Sequence, residues 1–89
     1  FVIINLNMRK VTTFNKRIAI NPKIRFGKPC IKGTRIAVED ILNLIKAGYT
    51  FNEILEQYPD LEKDDIIAAL DFTTSIILGK EEIYSFIPR

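Results

Sequence analysis

The sequence predicts a mainly α-helical α+β domain, a trihelical unit of helix-turn-helix type behind a short β-containing N-terminal segment. Three observations carry that prediction. The hydrophobic period changes from two to about 3.6 residues near Val38. Caps and breakers punctuate residues 38–79 at tight intervals. The chain has 89 residues, 47% of them apolar, which suits one core and leaves no room for a second.

Taken in order, "RIAI" (17–20) and "TRIAV" (34–38) are rich in strand formers. Asn21-Pro22 follows the first and Lys32-Gly33 precedes the second, so the two are expected to pair as an antiparallel ribbon. "FVIINL" at the start offers a third strand. Val38, Ile41, Leu42 and Ile45 then fall at i, i+3, i+4 and i+7, with Glu39 and Asp40 in the first turn and Gly48 at the end. "TFNE" (50–53) has the form of a capping box, and Phe51, Ile54, Leu55 and Tyr58 make the stripe of a second helix that Pro59 stops. A third helix is expected from Lys63 to Leu78, ended by Gly79. Its apolar residues Ile66, Ile67, Leu70, Phe72, Ile76, Ile77 and Leu78 wrap more than one face. That surplus points to a homodimer or a partner interface. The expected organisation is one domain over 1–79, with a basic β segment (1–37) and three helices (38–79), followed by a tail over 80–89.

The net charge of +2 conceals a sharp split. Residues 1–36 carry nine Lys/Arg and no acid, while residues 37–89 carry four Lys/Arg and all eleven acids. One segment is thus +9 and the other −7. Either the basic segment faces a polyanion or the two halves pair with each other. The absence of histidine excludes His-based acid–base catalysis and the usual zinc sites, and one cysteine forms no internal disulfide. A reducing cytoplasm is the expected setting. The apolar runs are far below the roughly 20 residues of a membrane span, so no membrane partner is expected. "FVIINL" lacks the pattern of a signal peptide, and Met8, at the head of a basic stretch, offers an alternative start to Phe1.

The stretch "RFGKPCIKGTR" (25–35) holds two glycines, a proline and four cations with no acid. It is not a Walker loop: Gly27 and Gly33 are six apart, and Gly33 is followed by Thr34 rather than by lysine. As a turn it is sound, with glycines free to take positive φ and Pro29 stiffening the path. The candidate phosphate-contacting residues are Lys16, Arg17, Arg25, Lys28, Lys32, Thr34 and Arg35, with ion pairing inside a protein assembly as the competing reading. The opening of the third helix, Glu62-Lys63-Asp64-Asp65, is too acidic for a major-groove reader. Cys30 reads as a small residue in a turn. Asp64, Asp65 and Asp71 read as a solvated face rather than a Mg²⁺ site. Neither a nucleophile–base pair nor a metal cluster can be assembled, so neither an enzyme nor a cofactor is expected.

From residue 17 to about 75 the chain resembles the domain-of-unknown-function family 433. The pieces that carry the resemblance are Gly27-Lys28-Pro29, Gly33-Thr34-Arg35-Ile36, a helix closed by Gly48, and Tyr58-Pro59-Asp60-Leu61 leading to Asp65-Ile66 and Ala69-Leu70. The resemblance implies a helix-turn-helix-type domain, usually dimeric. It further implies a VapB-like antitoxin of a type II toxin–antitoxin system, one that neutralises a PIN-like ribonuclease toxin and binds its own operator DNA. Where the family often has Thr or Ser capping the third helix, this chain has Glu62, which sets a base-reading role for that helix in question. On this reading Ile83, Tyr84, Phe86 and Ile87 of the tail dock on the toxin. The competing functions are a stand-alone helix-turn-helix transcriptional regulator and a protein-assembly module that binds no DNA.

Overall fold

The structure, a computed structural model, describes residues 11–84, with side chains through Gly79. Three short strands, β1 (Thr12–Phe14), β2 (Ile18–Ile20) and β3 (Pro29–Ile31), precede three helices, α1 (Val38–Lys46), α2 (Phe51–Gln57) and α3 (Lys63–Tyr84). The fold is α+β. The sheet is antiparallel in the order β1-β2-β3, with Phe14 opposite Ile18 and Ile18 opposite Ile31.

Two parts of the expected sheet differ. β2 pairs with Pro29–Ile31 and not with residues 34–38, whose one ladder pairing with the sheet is an isolated bridge from Ala37 to Cys30. The reason is local chemistry at Thr34. Its hydroxyl donates to the Ile31 carbonyl (2.8 Å) and accepts from the Ile36 N–H (3.0 Å), closing a turn around Gly33 at φ +81°. Pro29, which has no N–H, is tolerated because β3 lies at the sheet edge. The strand expected in "FVIINL" lies outside the described residues, and the third strand of the described sheet is β1.

Each helix begins with one device. The acid at its third position reaches back to the backbone N–H of the cap residue. Glu53 takes the N–H of Thr50 (2.8 Å) while the Thr50 hydroxyl takes that of Glu53 (3.1 Å), the full box expected from "TFNE". Asp40 takes the N–H of Ala37 (2.9 Å), and Asp65 that of Glu62 (2.8 Å). Ala37 has no side-chain acceptor, so the return half is missing there. Gly48 closes α1 with φ +97°. Gly79, by contrast, does not end α3: the helix passes through it to Tyr84 and is about 33 Å long. A mid-helix glycine costs only about 1 kcal/mol relative to alanine, which the surrounding turns absorb.

The core lies between one face of the sheet and the three helices. Ile18, Ile41, Ile54 and Ile66 are fully buried at its centre, joined by Ile31, Val38, Leu61 and Ala69. Phe14 packs edge-on against Phe72, with ring centroids 5.2 Å apart. Asn15 ties the β1–β2 turn to α3 by donating to the Ala68 carbonyl (3.1 Å). Cys30 sits in β3, not in a turn, and burial raises its pKa, so it is an inert core thiol. Among the described residues no helix is long and apolar enough to cross a membrane.

Candidate functional site

The charge split of the sequence is resolved in part inside the chain, through Arg17, Arg25 and Lys28. Arg17, at the start of β2, places Nη1 2.9 Å from Asp65 Oδ1 and 3.1 Å from Glu62 Oε1, with Nη2 3.8 Å from Asp64. These hydrogen bonds raise its pKa further, Asp65 contributing most. Arg25 repeats the arrangement on α1: its Nη1 lies 2.9 Å from Asp40 Oδ2 and donates to the Arg35 carbonyl at 2.8 Å. Lys28 pairs with Glu39 at 2.7 Å. In two cases, then, an arginine from the β segment grips the aspartate that closes a helix N-terminus, so ribbon and helices are fastened at the ends where helix dipoles favour negative charge.

Burial alone would raise the pKa of Asp40, but the Arg25 guanidinium and the Ala37 N–H outweigh it and hold the carboxyl below its usual value. A depressed folded-state pKa adds stability above the unfolded value of about 3.9, and that stability is lost as pH falls through the folded value. Asp40→Asn is therefore expected to flatten the acid limb of a urea-midpoint profile below about pH 4. An unaltered acid limb would show that Asp40 contributes nothing there.

Three of the seven expected phosphate contacts, Arg17, Arg25 and Lys28, are thus committed to acids, and Thr34 is committed to its turn. Lys16, Lys32 and Arg35 are exposed and have no carboxylate partner among the described residues. Lys16 and Lys32 converge at one end of the ribbon, where the Lys32 N–H donates to the Arg17 carbonyl (2.7 Å) and both line an open recess of about 380 Å³ with Arg17 and Asp65. The opening of α3 beside it presents Glu62 and Asp64 to solvent. Among the described residues no cluster of three or more acids, cysteines or histidines is placed to hold a metal.

The second surface is apolar. Beyond Phe72 the helix α3 leaves the body of the domain, and three successive residues, Ile76, Ile77 and Leu78, are each about half exposed (49%, 51% and 50%). On one side Ile76 and Ile77 continue into a shallow groove of about 230 Å³ floored by Pro29, Val38, Leu42 and Phe72. Ile83 and Tyr84 follow on the same helix, their side chains outside the described set, and Phe86 and Ile87 lie outside the described residues altogether. Residues 80–84 thus extend α3 rather than open a separate tail.

The residue pattern does not single out Phe26, which is 99% exposed. Its signal in the sequence is modest: one aromatic among the cations and glycines of "RFGKPCIKGTR".

These features define a small α+β domain in which arginines of a β-ribbon hold the N-termini of two helices. Residues 18–73 match the family described as "Protein of unknown function (DUF433)", and the chain belongs to that family. It is 26% identical over 73 residues to the uncharacterized protein y4eO of Sinorhizobium fredii, covering 81% of this chain and 33% of that protein. The chain therefore spans about a third of the length of that curated relative. Among solved structures, a DUF433 member from Anabaena variabilis superposes with a TM-score of 0.67 at 25% identity, over 80% of this chain and 70% of the other. Rv2018 from Mycobacterium tuberculosis superposes with a TM-score of 0.55, also at 25% identity, over 75% of this chain and 29% of that one.

Proposed function

We propose that the chain is the VapB-like antitoxin of a type II toxin–antitoxin pair, which docks on a PIN-like ribonuclease through the outer half of α3 and the residues that follow it. The observation that carries the reading is the run Ile76-Ile77-Leu78. Three successive half-exposed aliphatic residues form an apolar patch that a partner would cover, and here the domain's own core ends one turn earlier. A partner supplies that cover, with Ile83, Tyr84, Phe86 and Ile87 extending the contact. The partner is a protein rather than a membrane in this reading because the acids Glu81 and Glu82, after Gly79 and the single cation Lys80, leave a net negative charge that anionic lipid would repel. The test is calorimetric titration against the protein encoded beside this chain, the proposed ribonuclease. Ile76→Asp/Ile77→Asp is expected to weaken binding at least about 10-fold, as loss of a hot spot does, while leaving the urea midpoint nearly unchanged. Full affinity in that variant would remove the outer half of α3 from the interface.

Operator binding belongs to the same proposal, with α2 and α3 as a helix-turn-helix pair that positions rather than reads, and with the dimer of the chain as the binding unit. The exposed acids Glu62 and Asp64 at the head of α3 oppose base contact there, so the phosphate contacts fall to Lys16, Lys32 and Arg35. Lys16→Ala/Lys32→Ala is expected to reduce the slope of log affinity against log salt by about two. An unchanged slope would favour the second reading, an assembly module that binds no DNA. The commitment of Arg17, Arg25 and Lys28 to internal acids is the observation that supports this second reading.

A further inference from the structure

The segment from Asn21 to Lys28 holds one of the two left-handed pairs of side-chain-bearing residues among those described, the other being Asn15-Lys16 in the β1–β2 turn. Arg25 and Phe26 both take left-handed backbone conformations, φ +50° and +59°, and Gly27 follows at +82°. Neither Arg25 nor Phe26 is a glycine, and left-handed pairs of side-chain-bearing residues persist only when their surroundings hold them. They are held. Ile24, Gly27 and Lys28 donate N–H bonds to the carbonyls of Asn21, Ile24 and Arg25 at 2.9, 3.0 and 3.1 Å. The Asn21 carboxamide takes the Lys23 N–H at 2.9 Å, the Arg25 guanidinium is fixed to Asp40 and to the Arg35 carbonyl, and Lys28 is fixed to Glu39.

The result is a braced loop that holds a phenyl ring in solvent. Phe26 contributes nothing to the core, so its presence at 99% exposure is not explained by folding. Its surroundings identify what it fits. The loop and the turn it touches bring together Lys23, Arg25, Lys28 and Arg35, against the acids Glu39 and Asp40, a local excess of two positive charges. Lys23 and Arg35 have no acid partner among the described residues. An aromatic face on a loop that carries free cations matches a nucleobase and its phosphates.

We infer that Phe26 is a base-stacking side chain for single-stranded nucleic acid, with Lys23 and Arg35 contacting phosphates of the same strand. A single strand is favoured over a duplex on energetic grounds. Opening a stacked duplex step costs about as much as one ring–base stack returns, and proteins that wedge a duplex recover the cost over a much larger wrapped surface. A strand with unpaired bases imposes no such cost. The inference does not rest on toxin neutralisation or operator binding, although Arg35 serves in both proposals, and its test uses neither a toxin nor an operator.

The test is fluorescence anisotropy with end-labelled 12-mers of deoxythymidine and of uridine at low salt, using the full chain. Phe26→Ala is expected to weaken binding about 5- to 150-fold, the effect of losing one stacked base. Phe26→Leu, which stays apolar but has no π face, is expected to fall with it. Because the chain has no tryptophan, Phe26→Trp creates a single reporter. It is expected to bind within a few-fold of the parent and to lose fluorescence when a base stacks on it. Lys23→Ala/Arg35→Ala is expected to lower the salt slope by about one to two. Tighter binding of the uridine strand would identify RNA as the preferred source of the base, and equal binding would identify either strand type. Absence of binding to both oligomers would overturn the inference. So would Phe26→Ala binding as well as the parent, or a tryptophan that stays bright in the bound state.

Discussion

Ile41→Ala is expected to cost about 2–5 kcal/mol of folding stability, in the range of a fully buried side chain at the centre of the core. Ile41 has no solvent exposure, and it lies on α1, the helix that packs against β3, α2 and α3 together. Removing its outer carbons leaves a cavity whose walls belong to all the layers of the domain, so no single element can relax to fill it. Folded domains have only roughly 5–15 kcal/mol of stability in total, and a chain this small is at the low end. The substitution is therefore expected to bring the protein close to half unfolded at physiological temperature. Urea unfolding followed by circular dichroism checks this. The expected result is a lower midpoint with an unchanged slope, whereas a loss below about 1 kcal/mol would mean that Ile41 is not the centre of the core.

Asp65→Ala is expected to cost about 2–3 kcal/mol, from loss of a helix cap and of a charge-assisted hydrogen bond. Asp65 is the one buried charged residue among those described, at 8% exposure. Its two oxygens do different things: Oδ1 receives the Arg17 guanidinium and Oδ2 receives the Glu62 N–H. Alanine leaves both donors without that partner, and Arg17 keeps only the exposed acids Glu62 and Asp64 at the N-terminus of α3. Arg17→Ala is expected to cost less, because Asp65 still closes the helix and Arg17 is near enough to the surface for water to replace it. Asp65→Asn is expected to fall between the two, since its amide oxygen still accepts from Glu62. Equal costs for Asp65→Ala and Arg17→Ala would contradict this division of roles.

What the sequence disclosed and what it hid follow the range of the interactions involved. The capping box at Thr50 and Glu53 and the stripe Val38, Ile41, Leu42 and Ile45 are local, so residue types at fixed spacing specify them. The pairing of β2 with Pro29–Ile31 was hidden because the hydroxyl of Thr34, in a segment with good strand propensity, closes a turn instead. Gly79 reads as a stop, yet a single glycine is too weak to end a helix that has reason to continue. The basic half of the chain was legible as a charge excess but not as a set of clamps. Arg17 meets Asp65 across 48 residues and Arg25 meets Asp40 across 15, and no local pattern encodes such meetings. Of the seven expected phosphate contacts, Lys16, Lys32 and Arg35 are exposed and without an acid partner among the described residues, although Lys16 and Lys32 lie beside Asp65. Phe26 was hidden for a related reason: only the backbone of Arg25 and Phe26, not their identity, turns the ring fully into solvent.

The central claim is neutralisation of a ribonuclease, and the most direct measurement is a titration of RNA cleavage. The protein encoded beside this chain, the proposed ribonuclease, is held at constant concentration, the purified chain is added, and residual cleavage is read against molar ratio. The account predicts that cleavage falls linearly and ends at a fixed stoichiometry, with Ile76→Asp/Ile77→Asp needing a large excess to reach the same inhibition. Cleavage that persists undiminished at a several-fold molar excess of the folded chain would contradict it.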